Sequence, residues 1–439
     1  MKKMMHKTVA LTTAAVLSAS LALSGCGGGT AASSAEGTES TAPAATSEEG
    51  AASETSTEGG TLHVTMALGE EEWEVMRNEV IPGFEEQYGV KVQADQIEAT
   101  DVIKQLQAMN EAGDMQIDVI AQDANNLSAL VYGGLVEDLS EYTDIIPAET
   151  MGTMAEAGVF DGKTYFMPYR PNAEINYYNT EMFEKYGLTP PTNWDELYNA
   201  AKTIKDQEGI GRICLKLSMS GDAIELVEFI RSAGGDPLVL NDEGCIEAFT
   251  FLQKLWPELS EDTTTATFST TNTYLATDEV YYAPNWPFGA NILVKDGGKT
   301  TISATEGFSG PDGFVKTLGG EMLGIPVGSK NKEMALNFIQ YMESKEVQTL
   351  LMKENGWMSF RSDVYGDAED WQKPFLEATQ KAMEAAQPLP RVSYWSEAQQ
   401  AINDAAKEIC INGADVKTTL DKYAAQIAEY AQKAETAGA

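Results

Sequence analysis

Few side chains in this 439-residue chain have the types and spacing that covalent chemistry needs. It holds two histidines, His6 and His63. His6 lies in a basic N-terminal segment. His63 sits in the alternating run Thr61-Leu62-His63-Val64-Thr65-Met66, which predicts a strand-face residue and not a general base. A Ser-His-Asp or Cys-His nucleophile and a His-ligated metal are therefore disfavoured. Cys214, Cys245 and Cys410 form no C-x-x-C pair and read as buried thiols with at most one disulfide and no metal site. No phosphate-binding G-x-x-x-x-G-K-[ST] and no G-x-G-x-x-G after a strand occurs. The chain has 67 Asp and Glu, so a pair of carboxylates acting on a glycosidic bond stays open on composition. Carboxylates also serve a binding site, because ionised ones accept hydrogen bonds from ligand hydroxyls.

The elements that must position such groups alternate between strand and amphipathic helix, the pattern of an α/β fold with largely parallel sheets. Strands are expected at Leu62 to Ala67, Val90 to Ala94 and Ile117 to Ala121. Between the first two, Trp73, Met76, Val80, Phe84 and Tyr88 share one helical face, and Pro82 should kink it. Val102, Ile103, Leu106 and Met109 mark a second helix. Further helices are expected from Thr192 to Ile204, Glu243 to Trp256, Lys332 to Met342, Trp395 to Ile409 and Thr418 to Ala434. Ligands of open α/β sheets bind beyond the carboxyl ends of strands. That rule makes Glu70 and Glu71, after the first strand, and Asp123, after the third, cleft-side candidates; an exposed loop or cap is the competing role. Flat aromatic rings can offer stacking faces to the apolar C–H surface of a ligand, so Tyr169, Trp286, Trp357 and Trp395 are stacking candidates, with plain core as the alternative.

The N-terminus reads as an address. Lys2, Lys3 and Lys7 precede an uncharged run from Thr8 to Leu23, and Leu23-Ser24-Gly25-Cys26 follows, so residues 1–25 form a secretory signal peptide. Cys26 resembles the lipobox cysteine of bacterial lipoproteins and is the expected acylated first residue of the mature chain. Residues 26–60, built from Gly, Ala, Ser, Thr and Glu, predict a solvated tether reaching roughly 30 Å. The formal net charge of −37 becomes about −40 without the signal lysines, which argues against nucleic acid or anionic lipid as partner. From Thr61 onward the chain has length for two lobes.

Several segments in the middle of the chain carry a resemblance. Gly133-Gly134-Leu135-Val136-Glu137-Asp138-Leu139 is followed by Asp161-Gly162-Lys163-Thr164-Tyr165-Phe166-Met167-Pro168-Tyr169, Tyr177-Tyr178-Asn179 and Pro190-Pro191-Thr192-Asn193-Trp194-Asp195-Glu196-Leu197. Asn285-Trp286-Pro287, Gly319-Gly320 to Ile325-Pro326, Ser329 to Glu333, and Gly356 with Arg361 continue it. Together they resemble the extracellular solute-binding proteins of ATP-driven sugar importers, in particular the trehalose/maltose-binding branch.

The resemblance implies a two-lobed periplasmic-binding-protein-like fold (type II) with a ligand cleft between hinged lobes. It divides the chain into 61–171 plus 301–344 for lobe 1 and 172–300 plus 345–439 for lobe 2, with crossings near Arg170 to Glu174, Thr300 and Ser344. It also implies a monomeric binding protein without enzymatic activity or cofactor that delivers a sugar to permease subunits and their ATPase, on the outer face of a Gram-positive-type cytoplasmic membrane. Trp286 falls at the family's stacking position and Arg361 at an arginine that reaches the sugar, a structural ion pair being its alternative. Two departures stand out. Ser359-Phe360 replaces the usual apolar-Pro step before Arg361, and Glu321 stands where the sugar-binding branch often has an aromatic, pointing to a ligand more polar or longer than maltose or trehalose. The readings from other classes are a surface glycosidase and a non-transporting adhesin or sensor module.

Overall fold

The computed structural model describes residues 60–217 and 223–437. Cys26, the signal segment and the tether through residue 59 lie outside the described residues. Eight strands build the two main sheets: β1 (Thr61–Met66), β2 (Lys91–Gln96), β3 (Val119–Asp123), β4 (Phe166–Asn172), β5 (Ile175–Asn179), β6 (Tyr282–Asn285), β7 (Ile302–Thr305) and β8 (Gly319–Gly324).

The first sheet has the order β2-β1-β3-β8-β4. β1 runs parallel to both β2 and β3, while β8 is antiparallel to both β3 and β4. β8 is reversed because the chain returns to this sheet from the second lobe. It enters at the edge where β3 and β4 end, pairing Gly319 with Asn172 and Glu321 with Asp123. The second sheet, β6-β5-β7, is antiparallel throughout. The expectation of largely parallel sheets thus holds for four strands of the first sheet and is corrected for the second, whose strands come from distant parts of the chain.

Helix periodicity translates into burial. The helix after β1 runs unbroken from Glu70 to Tyr88, starting with α1 (Glu70–Val75) and passing through a π-helical turn at Met76–Val80. Pro82 follows that turn, so the proline is accommodated by local widening. Trp73, Met76, Val80 and Phe84 are buried on the first sheet as their spacing requires. α2 (Ala99–Ala112) buries Val102 and Leu106. α3 (Trp194–Glu208) is capped by Asn193, whose side chain accepts from the Glu196 amide at 2.9 Å, and Glu196 accepts in turn from the Thr192 amide at 2.9 Å. Its Trp194, Leu197, Ala201 and Ile204 enter the second lobe's core, alongside α4 (Glu243–Leu255).

The later helices correct the expected division of the chain. α5 (Lys332–Met342) and α6 (Lys345–Asn355) both pack on the first sheet, and Phe338, Val347, Leu351 and Trp357 share a core with Leu62, Val64 and Trp73. The chain therefore stays in the first lobe past Ser344. α7 (Lys373–Glu384) instead joins Tyr177 and Ala304 of the second sheet, which puts the last crossing between Trp357 and Lys373. The middle crossing falls between Thr305 of β7 and Gly319 of β8, later than Thr300. The first, between β4 and β5, falls at Ala173 and Glu174. α8 (Trp395–Ala406) and α9 (Val416–Ala437) close over the second lobe.

Cys214, Cys245 and Cys410 are free and buried, and burial pushes the Cys214 and Cys410 thiols up to about 12. They behave as small core residues. No helix among the described residues is long and apolar enough to cross a membrane.

Candidate functional site

A cleft of about 940 Å³ opens at the carboxyl ends of β1 and β3, bounded by the first sheet on one side and by the segment after β6 on the other. Its volume lies at the upper end for small-molecule sites.

The first-sheet wall is polar. Asp123 ends β3 and accepts from the Asn125 amide at 2.8 Å, which turns the chain away from the sheet and leaves its carboxylate at the edge. β8 runs alongside and sets Glu321 in register with Asp123 on one flank and Arg170 on the other. Gly320 has φ +94°, and a Cβ there would stand 2.1 Å from the Arg170 carbonyl oxygen, so glycine is required for β8 to approach β4. The register shift just after Glu321 sets how that side chain is aimed.

Arg170 is the hub of this wall. Its guanidinium donates to Glu72 at 2.8 Å, pairs with Glu321 at 3.0 Å and stacks 4.4 Å from the centre of the Trp357 ring. Trp357 donates its indole N–H to Glu72, and Tyr169 packs edge-on against Trp357 at 5.7 Å. Two carboxylates, Glu72 and Glu321, therefore meet one guanidinium, and Asp123 lies close enough to Glu321 to act on its charge. Burial pushes the Glu321 carboxyl up to about 7; Arg170 opposes that rise, while Asp123 and Glu72 add to it.

That shift has a measurable consequence for stability. The folded state holds the Glu321 proton more tightly than the unfolded chain, whose reference is 4.5. Between those two values the native state binds more protons, so stability falls as pH rises from about 4.5 to about 7 and the loss is complete above that. The contribution of this group is about 3 kcal/mol. Burial raises Glu343 and Glu228 as well, so the informative quantity is a difference. Glu321→Gln is expected to flatten the pH dependence of the urea-unfolding free energy relative to wild type across that window. Parallel curves would show that Glu321 ionises normally.

The opposite wall is apolar. Asn285 at the end of β6 accepts from the Trp286 amide at 2.9 Å and donates to the Phe268 carbonyl at 2.9 Å and to Asn272 at 2.8 Å. The Tyr177 hydroxyl donates to the Trp286 carbonyl at 2.8 Å. These bonds fix a turn that presents Trp286, half-buried, to the cleft. Its indole edge lies over Gly319, where a Cβ would come within 2.6 Å of the ring. Phe288, Phe268 and Ile292 extend the wall, the last two 53% and 44% exposed, an unusual exposure for large apolar groups in one place.

Of the sequence candidates, Glu70, Asp123, Trp286 and Glu321 line the cleft. Glu70 is at its exposed rim and pairs with Arg77 at 3.1 Å. Glu71 stands in the first turn of α1, and its side chain lies outside the described residues. Four candidates do not line it. Tyr169 and Trp357 are 1% and 3% exposed and form the packing beneath Arg170. Trp395 opens α8 inside the second lobe's core. Arg361 is buried in an ion pair with Asp363 at 2.9 Å and Glu149 at 3.2 Å, and it also donates to the Glu343 carbonyl. The departure before Arg361 explains its placement. Phe360 is fully buried and Ser359 bonds to Gln348 at 2.8 Å, so the segment is drawn inward and Arg361 is used structurally.

Sequence reasoning missed Glu72, Arg170, Phe268, Phe288 and Asn355. Glu72 and Arg170 carried a signal, being adjacent to chosen residues at the ends of β1 and β4. Phe268, Phe288 and Asn355 carried none.

Comparisons with known proteins agree with this geometry. Residues 79–378 match the model of the bacterial extracellular solute-binding protein family, and the chain belongs to that family. It is 26% identical over 245 residues to a probable ABC transporter-binding protein of Deinococcus radiodurans, covering 50% of this chain and 58% of that one. The chain thus spans well under two thirds of that relative. It is also 26% identical over 287 residues to the diacetylchitobiose binding protein DasA of Streptomyces coelicolor, covering 60% of this chain and 64% of that protein. Among solved structures, maltose-bound MalE3 of T. maritima superposes with a TM-score of 0.73 at 23% identity, covering 84% of this chain and 99% of that one. That likeness shows the two-lobed fold.

Proposed function

We propose that this protein is an extracytoplasmic lipoprotein, acylated at Cys26, that captures a saccharide between its lobes and hands it to the permease and ATPase of an ABC importer. The observation that carries the reading is the two-sided cleft, with hydrogen-bonding carboxylates on the first sheet facing Trp286 and its apolar neighbours on the second lobe. A sugar ring has both surfaces, a polar rim and an apolar face, and each wall matches one of them. The family match and the saccharide names of the relatives support the class of ligand. Asp123 and Glu321 are cross-strand neighbours in one ladder with Arg170 bound to Glu321, an arrangement suited to holding and not to attacking a glycosidic bond from two sides.

Function follows from closure. Each lobe holds half of the contacts, so the closed state gains stability only with ligand present. A saccharide panel monitored by small-angle scattering is expected to contain ligands that reduce the radius of gyration. A radius unchanged by every ligand that binds would overturn the closure mechanism. Binding of no saccharide at all would overturn the ligand class.

The anchor is tested separately. Cys26→Ala is expected to move the protein from the detergent phase to the aqueous phase on phase separation, because no helix among the described residues is long and apolar enough to hold it there in place of the acyl chains. Equal partitioning of both forms would count against acylation.

A further inference from the structure

The cleft has a charge imbalance that a neutral sugar does not use. Eight carboxylates line it against two basic side chains, Arg170 and Lys295, whereas the whole chain has 67 acids against 30 bases. Two bases against eight acids leave the lining strongly acidic. Arg170 is held between Glu72 and Glu321. Lys295 is an exposed rim residue whose ammonium lies 3.4 Å from the Glu354 carbonyl.

The excess is concentrated at the sheet edge. Asp123 and Glu321 face each other across the β3–β8 ladder, with Glu72 on the other side of Arg170. Ionised carboxylates only accept hydrogen bonds, and like charges this close raise one another's energy in a partly desolvated site. A ligand hydroxyl would donate there but would leave the charge unbalanced.

The opposite wall gives an independent indication. Trp286, Phe288 and Phe268 offer aromatic faces to a ligand's C–H surface, and such faces attract a cation. Lys216 already uses this property within the protein, its ammonium lying 5.8 Å from the Trp286 ring centre. A third feature separates a sugar from a simple amine. Asn355 lines the cleft, is 8% exposed, and its side-chain nitrogen is buried without an acceptor. It calls for a ligand oxygen.

We infer that the cleft selects a saccharide bearing at least one protonated amino group and excludes anionic saccharides, with Asp123 and Glu321 facing the ammonium and the Trp286 wall facing the ring. This rests on the saccharide reading above. It accounts for a carboxylate at position 321, where a neutral disaccharide site would gain more from an aromatic ring.

The test is calorimetry on the mature chain with matched di- to tetrasaccharides in free-amine, N-acetylated and uronic forms, such as chitobiose beside diacetylchitobiose. At neutral pH, where Glu321 is ionised in part and the amines keep much of their charge, the free-amine member is expected to bind about ten-fold or more tightly than its acetylated partner. That margin should shrink at high ionic strength, and the uronic member should give no heat. Asp123→Asn keeps an acceptor for the Asn125 amide and should reduce the amine preference about three-fold or more. An acetylated member that binds as well as the amine, a uronic member that binds, or an unchanged ratio in Asp123→Asn would overturn the inference while leaving the saccharide reading intact. Failure of every saccharide would overturn both.

Discussion

Replacing Arg170 with methionine is expected to lower the unfolding free energy by about 3–5 kcal/mol at pH 8. The guanidinium pairs with both Glu72 and Glu321, and its side chain is 14% exposed, so water cannot take over its role. Methionine keeps much of the volume over Trp357 and removes the charge, which isolates the electrostatic loss from packing. The cost should shrink at pH 5, because Glu321, already raised to about 7, would take up a proton and stop repelling its neighbours. Urea unfolding of both forms at the two pH values checks this. A pH-independent loss would mean that Arg170 acts through packing alone.

Trp286→Ala should weaken the native ligand by about 2 kcal/mol, or about thirty-fold in dissociation constant, with only a small drop in apo stability. Trp286 is half-buried, rests on Gly319 and presents its remaining surface to the cleft. Trp357→Ala provides the contrast. That ring is 3% exposed between Tyr169 and Arg170, and its loss should cost about 3–5 kcal/mol of stability through the cavity left behind. Calorimetry for affinity and urea unfolding for stability distinguish the two. If Trp286→Ala unfolds as readily as Trp357→Ala, Trp286 belongs to the core and the apolar wall has been misplaced.

Sequence alone determined the local elements and the class of protein. Periodicity located Trp73, Met76, Val80 and Phe84 on one buried face, and the spacing of Lys332 to Met342 matched its helix end to end, because a 3.6-residue repeat is a local property of the chain. The rule that ligands sit beyond strand ends found Glu70 and Asp123, since strand direction and strand end are also local. Motif order gave the family, and Trp286 with it.

Only the tertiary structure decided which aromatic rings are walls and which are core. Tyr169, Trp286, Trp357 and Trp395 look alike as sequence, and what separates them is whether another element covers the ring: α6 brings Trp357 against Tyr169, and the second lobe's helices enclose Trp395. The fate of Arg361 turned on Phe360 entering the core, a nonlocal packing choice. The reversed strand β8 was likewise invisible. Its direction depends on where the chain re-enters the first sheet after the second lobe, and that one topological fact sets Glu321 between Asp123 and Arg170 and so establishes the acidic edge of the cleft.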